Sequence, residues 1–397
     1  MTKRNSIPPM KDEVAVWRRS LHENPAIMYE EVFASDLVAS KLTEWGIPFK
    51  RGLGKTGIVG IIEGQKNDSG KTIGLRADMD ALPLTETSGQ PWSSKIPGRM
   101  HACGHDGHTA TLLGTAKYLN ETKNFNGRVL VIFQPAEEGG RGAFAMMRDG
   151  LFKDDLKCDY VYGLHNWPTM PLGTAGIKAG AVMAAVDHFD IEIAGVGGHA
   201  AYPHKCVDSI VIGATLVSTL QTLVSRFVAP QEMAVLSVTN FNSGTGAYNV
   251  IPDSAKITGT VRSFKPEVRD MMEAKIKKMA TEICGAYGAK VSVVYDREID
   301  ATINDPEQTQ VCIEAMSRII GLENINTNIQ PSLGGEDFGG MLMQVPGAYI
   351  HLGQGTANPD SPHNRGLHNP GYDFNDDIIP IAMDYFAELV ESGLPLK

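Results

Sequence analysis

Short, nearly continuous apolar runs alternate with helical repeats along most of this chain, and that alternation restricts its fold more than any other feature. GIVGIIEG, KTIGLRADMD, RVLVIFQPAEE, DYVYGLHNWP and GAYIHLG are each bounded by glycine or polar residues. A strand buried on both faces reads this way, because neither side of its pleat meets water. Between these runs stand helical stretches. Lys11 to about Gly46 reads as two helices, with Trp17, Leu21, Phe33, Leu37, Val38 and Leu42 at helical spacing. Others run from roughly Gly107 to Leu119, over GAFAMMRDG up to Gly150, and from Pro306 to Ile320. A last helix follows the cap-like Asn375 and Asp376. The pattern predicts an α/β fold, with a mixed, mainly parallel sheet flanked by helices.

The alternation is broken once. From about Ala181 the order is VDHFDIEIAG, the long VDSIVIGATLVSTLQTLVSRFV, MAVLSVTNFNSG, SAKITGTVRSF, KPEVRDMMEAKIKKMATEICGAYG and KVSVVYDREI. Read as β-α-β-β-α-β, this is the order of a ferredoxin-like module. Its size, about 120 residues, suits a domain. Residues 182–299 are therefore expected to form an inserted domain, and 1–181 with 300–397 a discontinuous one.

Charge and composition remove several function classes. Lys and Arg number 36 and Asp and Glu 46, a net charge of −10. That balance argues against a nucleic-acid partner and a polybasic membrane anchor. No run is expected to reach the roughly 18 apolar residues of a membrane-crossing helix. The opening MTKRNSIPPMKDEV has basic residues without an apolar stretch behind them, so no signal peptide is predicted. The cysteines (Cys103, Cys158, Cys206, Cys284, Cys312) are odd in number, scattered and without a CxxC pair. A reducing, cytoplasmic setting fits that usage better than a disulfide framework.

The densest chemistry lies in MHACGHDGH, which places His101, Cys103, His105, Asp106 and His108 within eight positions. Thiolate and imidazole are preferred ligands of zinc and similar ions, and the segment is a glycine-containing turn before a helix. Any one of these residues alone would read as part of a polar turn; the cluster predicts a metal. Glu137 and Glu138 leave the C-terminal end of the RVLVIF strand. Neighbours in extended chain point different ways, so one can ligate while the other serves as a general base. Without that placement, an acidic pair is an ordinary solvated loop. Asp78 and Asp80 follow TIGL on one side of the chain. A carboxylate there either ligates, orients a ligating histidine, or merely satisfies backbone amides.

His165 is expected at the end of the DYVYGL strand, and His368 precedes a Pro-Gly turn. Asp78, Asp80, Glu137, Glu138 and His165 thus share the C-terminal edge of the sheet, where open α/β sheets bind ligands. In the inserted domain His199 sits on the glycine-rich turn of GGHAAYPH. It suits donation to a carbonyl oxygen that gains charge, and equally a helix-entry bond to backbone. Asn249 and Arg262 follow; the arginine suits a two-pronged grip on a carboxylate or a surface ion pair.

Taken together, HACGHDGH, LRADMDALP, QPAEEGGRGA, GLHNWP, GGHAAYPH, NVIPDSAKITGTVRSF, GGEDF and LHNPGYDF closely resemble one family, in order from about Asp12 to the C-terminus. It is the amidohydrolase branch of the aminoacylase/carboxypeptidase (peptidase M20) family of di-metal peptidases. That branch includes hippurate hydrolases, N-acyl-amino-acid amidohydrolases and indole-acetyl-amino-acid hydrolases. The resemblance implies hydrolysis of the amide bond of small N-acyl-L-amino acids. It implies two divalent ions (Zn, Mn, Co or Ni) on Cys103, His105, Glu138, His165 and His368, with Cys103 standing where other branches place a bridging aspartate. Glu137 would be the general base and Asp80 the carboxylate behind the site. The inserted domain would be a lid and dimerisation domain in a dimer or tetramer. Its His199 would polarise the scissile carbonyl, and Asn249 and Arg262 would bind the substrate carboxylate. The competing readings are an N-acetyl-diaminopimelate-type deacetylase, an amidase using Cys103 as nucleophile, and a non-catalytic metal- or ligand-binding homologue.

Overall fold

The apolar runs become strands because both faces of each are covered. In the computed structural model, which describes residues 4–396, the first are β1 (Phe49–Leu53), β2 (Gly57–Glu63), β3 (Thr72–Asp78), β4 (Arg128–Gln134), β5 (Tyr160–Pro171) and β6 (Ala175–Gly176). β3 is buried along its whole length and β4 at every residue but its first. Helices α1 (Lys11–Glu23), α2 (Val32–Glu44), α3 (His105–Thr122) and α4 (Gly142–Arg148) separate them. α1 carries Asp12 and Glu13 in its first turn, where acidic side chains favour the helix dipole. α3 begins at His105, two residues before the predicted start, and is buried almost all round. It therefore shows no apolar stripe, the mark of a central helix.

After β7 (Gly180–Met183) the chain enters a second compact unit, Met183–Ala301 with Pro331–Glu336. Its elements are β8 (Ala185–Ala194), β9 (Gly198–His199), α5 (Ser209–Leu220), β10 (Ala234–Ser243), β11 (Val250–Ile251), β12 (Ser254–Ser263), α6 (Pro266–Ala286) and β13 (Lys290–Ile299). The four long strands form an antiparallel sheet in the order β10-β12-β8-β13. Asp208 caps α5 by accepting from the amides of Ile210 and Val211. Arg269 ties α6 to the sheet through Asp187, Nη2 to Oδ1 at 2.6 Å. One sequence expectation needs correction here. Ser209–Phe227 does reach the length and mean hydropathy (1.4) of a crossing segment. The fold accounts for part of its apolarity: Ile212, Leu216, Leu220 and Leu223 are fully buried in this unit's core with Ile257 and Ile276, while Ile210, Val211 and Phe227 are exposed.

The first unit resumes with β14 (Thr302–Asn304), α7 (Pro306–Ile320), β15 (Ile325–Asn326), α8 (Phe338–Leu342), β16 (Gly347–Gly355) and α9 (Ile379–Gly393). Asp305 caps α7, with Pro306 in its first turn and Gly321 just past its end. The large sheet runs β1-β2-β4-β3-β5-β16-β6-β15. Its centre, β4-β3-β5-β16, is wholly parallel; β1, β2 and the β16–β6 pairing are antiparallel. Leu75, Val131, Leu113, Val14 and Met383 belong to one buried cluster of sheet and helices. Each such side chain contributes roughly 1.5–3 kcal/mol of burial. That cluster fixes the parallel edge at which β3 and β4 end side by side, Asp78 opposite Gln134.

Candidate metal centre and active site

Backbone geometry at the head of α3 gathers the first donors. Gly104 has φ 92°, and a Cβ there would collide with the side-chain oxygen of Asn166. Only glycine fits, so the chain can bend sharply between Cys103 and His105. Cys103 Sγ then lies 3.4 Å from His165 Nε2. The donor atoms of Cys103, His105 and His165 all fall within 4.8 Å of one another, and all three residues are buried. Cys103 also groups with Glu138 and His368, and His105 with Glu137 and Glu138, under the same limit. Six side chains are thus linked through shared members. His368 arrives on a left-handed residue (φ 64°) whose amide donates to Ala102 O at 2.8 Å. Its Nε2 lies 3.1 Å from Glu138 Oε1.

His165 departs from its predicted place. β5 does not end there but runs on to Pro171, held by pairing with β16. Its pairing with β3 stops at Arg76 opposite Gly163, so His165 still projects where β3 gives out.

Asp80 binds two parts of the cluster together. Its Oδ1 is 3.3 Å from His105 Nδ1, and its Oδ2 accepts the Glu138 amide at 2.9 Å. With Nδ1 engaged, His105 Nε2 is buried and has no hydrogen-bond partner. An imidazole nitrogen without a hydrogen bond, 3.7 Å from Asp78 Oδ2 and beside a buried thiol and two further carboxylates, belongs to the donor set of a divalent transition-metal site, so these residues fit a cation.

The carboxylates around His105 and Cys103 draw protons onto them, protons that a bound cation would displace. Burial opposes charge on His105, but Asp78 and then Asp80 outweigh it and push its pKa up to about 10. Burial, then Glu138 and Glu137, hold the Cys103 thiol well above its ordinary range. Such a thiol is a poor nucleophile by itself, which speaks against the cysteine-amidase reading, yet becomes a ligand beside a cation. Burial, then His108, keep His165 well below the usual imidazole range, leaving a neutral donor. Against its own burial, Glu138 is drawn below the usual range by His368 and His105.

Other residues of the motifs stand behind the cluster. His108 spends both ring nitrogens, on Asp78 Oδ1 at 2.6 Å and Asn166 Oδ1 at 2.7 Å. Asp106 lies 2.8 Å from His22 Nδ1. His101 is buried, which lowers its pKa to about 3. Residues outside the sequence expectation support this layer. Asn166 donates to Gln354 and Tyr372, and Arg76 to Gln134 and Asp78. Arg76 had a signal, a lone cation inside an apolar run; Asn166 and Gln354 had none.

In the second unit, β9 pairs with β11 and sets His199 opposite Val250. The Ala200 amide donates to Asn249 O at 2.9 Å, so His199 and Asn249 share one exposed ribbon. Arg262 is elsewhere. It lies near the far end of β12, eight residues from Ser254, or about 26 Å at roughly 3.3 Å per residue. It is half-buried and donates to Thr260 Oγ1 and Val261 O. Among the described residues it makes no salt bridge.

The sequence pattern of peptidase family M20/M25/M40 matches residues 74–392. The chain belongs to that family. It is 41% identical over 388 residues to the hippurate hydrolase of Campylobacter jejuni, covering 97% of this chain and 98% of the relative. It is 36% identical over 375 residues to an N-acetylcysteine deacetylase of Bacillus subtilis, covering 94% of each. A crystal structure of a dinuclear metal-binding peptidase of the M20 family, from Bacillus subtilis, matches with TM-score 0.83 and 33% identity over 98% of this chain and 99% of that one. The chain is accordingly a metal-dependent amidohydrolase that cleaves amide bonds, and the non-catalytic reading is set aside.

Proposed function

We propose that the enzyme hydrolyses N-acyl-L-amino acids of the hippurate or N-acetyl-amino-acid type, releasing a carboxylic acid and the free amino acid. The interlocked donor groups around Cys103 and His105, with Glu137 beside them, carry this reading. Cys103, His105, Glu138, His165 and His368 would hold two divalent ions (Zn, Mn, Co or Ni). When bound, such ions supply Lewis acidity that acidifies water and polarises a carbonyl oxygen. Glu137 takes a proton from the attacking water and delivers it to the leaving nitrogen as the C–N bond breaks and the C–O bond forms. Asp80 accepts from His105 Nδ1–H, which leaves Nε2 as the ring nitrogen that would ligate once a cation displaces its proton.

The second unit is assigned the part of lid and dimerisation domain. His199 stabilises the charge that develops on the carbonyl oxygen. Arg262 holds the substrate carboxylate, which the absence of a salt-bridge partner among the described residues supports; Asn249, near the other end of β12, is assigned to the same carboxylate from a second copy of the chain. The test is a panel of benzoylglycine, N-acetyl amino acids and N-acetyl-diaminopimelate, assayed on metal-stripped enzyme reloaded with each ion. Turnover of benzoylglycine or simple N-acetyl amino acids is expected. Turnover of N-acetyl-diaminopimelate alone would shift the substrate to the biosynthetic deacetylase class, and no turnover with any ion would overturn the proposal.

A further inference from the structure

The loop that carries Glu137 is built against local backbone preference. Ala136 (φ 52°) and Arg141 (φ 56°) occupy the left-handed region, as does Gly139 (φ 82°). Side-chain-bearing residues rarely adopt that region, and persist there only where the surroundings fix them. Here the fixing groups come from a segment about a hundred residues earlier. Glu31 is fully buried, and its Oε1 accepts from Ala136 N at 2.9 Å and from Tyr29 N at 2.8 Å. Its Oε2 accepts from the Thr56 hydroxyl at 2.5 Å. Tyr29, itself left-handed at φ 64°, donates its hydroxyl to Gly140 O. From the opposite side Asp80 takes the Glu138 amide. The residue before Glu137, the residue after it and the far end of the loop are each gripped by a distant side chain.

Glu31 is an expensive way to pin a loop. It forms no salt bridge among the described residues, and all three of its bonds come from neutral donors. A buried carboxylate without a cation is disfavoured unless its geometry is needed. We propose that Glu31, helped by Tyr29, is a positioning residue for Glu137. It holds the loop in the strained form that presents the base, and touches neither substrate nor the candidate metal donors. This rests on the reading of Glu137 as general base.

The experiment compares Glu31→Ala, Glu31→Gln, Tyr29→Phe and Glu137→Gln with the parent, all loaded with the same ion. It reads kcat and KM for benzoylglycine, bound metal per chain, and folding by circular dichroism. Glu31→Ala is expected to lower kcat on the order of 10–100-fold, with KM and bound metal near parental, because a misplaced base loses rate rather than binding. In Glu31→Gln the amide oxygen still accepts both backbone N–H groups and its NH2 donates to Thr56. That variant should recover all but about threefold of the rate, which a role for charge would not allow. Tyr29→Phe should cost about 3–10-fold in kcat. A folded Glu31→Ala enzyme with parental kcat overturns the proposal, as does Glu31→Gln as damaged as Glu31→Ala, or a rate loss that only tracks lost metal. If Glu31→Ala does not fold, Tyr29→Phe decides, and parental kcat there overturns it. Substantial activity in Glu137→Gln removes the underlying reading of the base instead, so the two failures are distinguishable.

Discussion

The candidate metal centre and the His199–Asn249 ribbon contribute residues to one proposed reaction, yet they are built in opposite ways. At the centre three of the donor-bearing groups are held by a further side chain: His105 and Glu138 by Asp80, and the Glu137 loop by Glu31 and Tyr29. On the ribbon, His199 and Asn249 are exposed, and what holds them is backbone pairing. A cation site rewards donors fixed before the ion arrives, because ordering them afterwards costs affinity. A group that meets a substrate gains little from burial and must stay accessible. Substitutions in the first region should therefore damage chemistry or metal retention, according to which group is removed, and those in the second should leave metal retention and stability alone.

The largest effect should follow from changing the base and nothing else. Glu137→Gln keeps size and hydrogen bonding but cannot accept a proton. We expect kcat to fall by roughly 10²–10⁴, the usual worth of general base catalysis, with bound metal unchanged by elemental analysis. A variant within a few-fold of the parent would show that the centre's order is unrelated to proton transfer. Asp80→Ala comes next. Loss of a carboxylate behind a ligating histidine costs about 10–100-fold in metal affinity, read by competition with a chelator. Unaltered affinity would mean that His105 needs no such support.

How much of this contrast was legible beforehand depended on how local each signal was. The cluster from His101 to His108 is visible because its donors are close in sequence, and the Glu137/Glu138 pair because it follows an unmistakable buried strand. The end of β5 was misjudged because polar residues after Leu164 look like a terminus, whereas pairing with β16 carries the strand onward. Glu31 was invisible. Its three donors, at Tyr29, Thr56 and Ala136, are brought together only by the fold, and an acidic residue in PAIMYEE carries no mark of burial. Arg262 and Asn249 stand thirteen positions apart, but the run of β12 between them sets them at separate ends of a strand, which no motif could express.

A smaller, pH-dependent effect tests the scaffold beneath the centre. His22, buried between Asp106 (2.8 Å) and Glu86 (3.2 Å), is raised to about 9. Burial opposes the charge, and Asp106 and then Glu86 overcome it. Because the folded pKa exceeds the unfolded one, this stabilisation is complete below about pH 6.5 and fades as the pH climbs through about 9. Asp106, held below its usual range against burial by His22, acts in the other direction: its share is present above the ordinary carboxylate range and disappears in acid. Chemical denaturation should show stability falling by roughly 1–3 kcal/mol between near-neutral pH and pH 9–10 in the parent. His22→Gln should flatten that limb, and an unchanged slope would place the titration elsewhere.

The smallest effect is the one that most sharply separates the two regions. His199 is exposed, its Nδ1 accepts only the Ala201 amide at 3.1 Å, and the ribbon's pairing with Val250 and Ile251 uses backbone groups. Truncating it removes no buried surface and strands no buried donor. His199→Ala should therefore keep unfolding free energy and bound metal at parental levels, within about 0.5 kcal/mol by denaturant titration, as for other exposed substitutions. A loss of about 2 kcal/mol or more would mean that the ribbon is packed as firmly as the centre. The distinction between a site fixed by side chains and a surface held by backbone would then no longer stand.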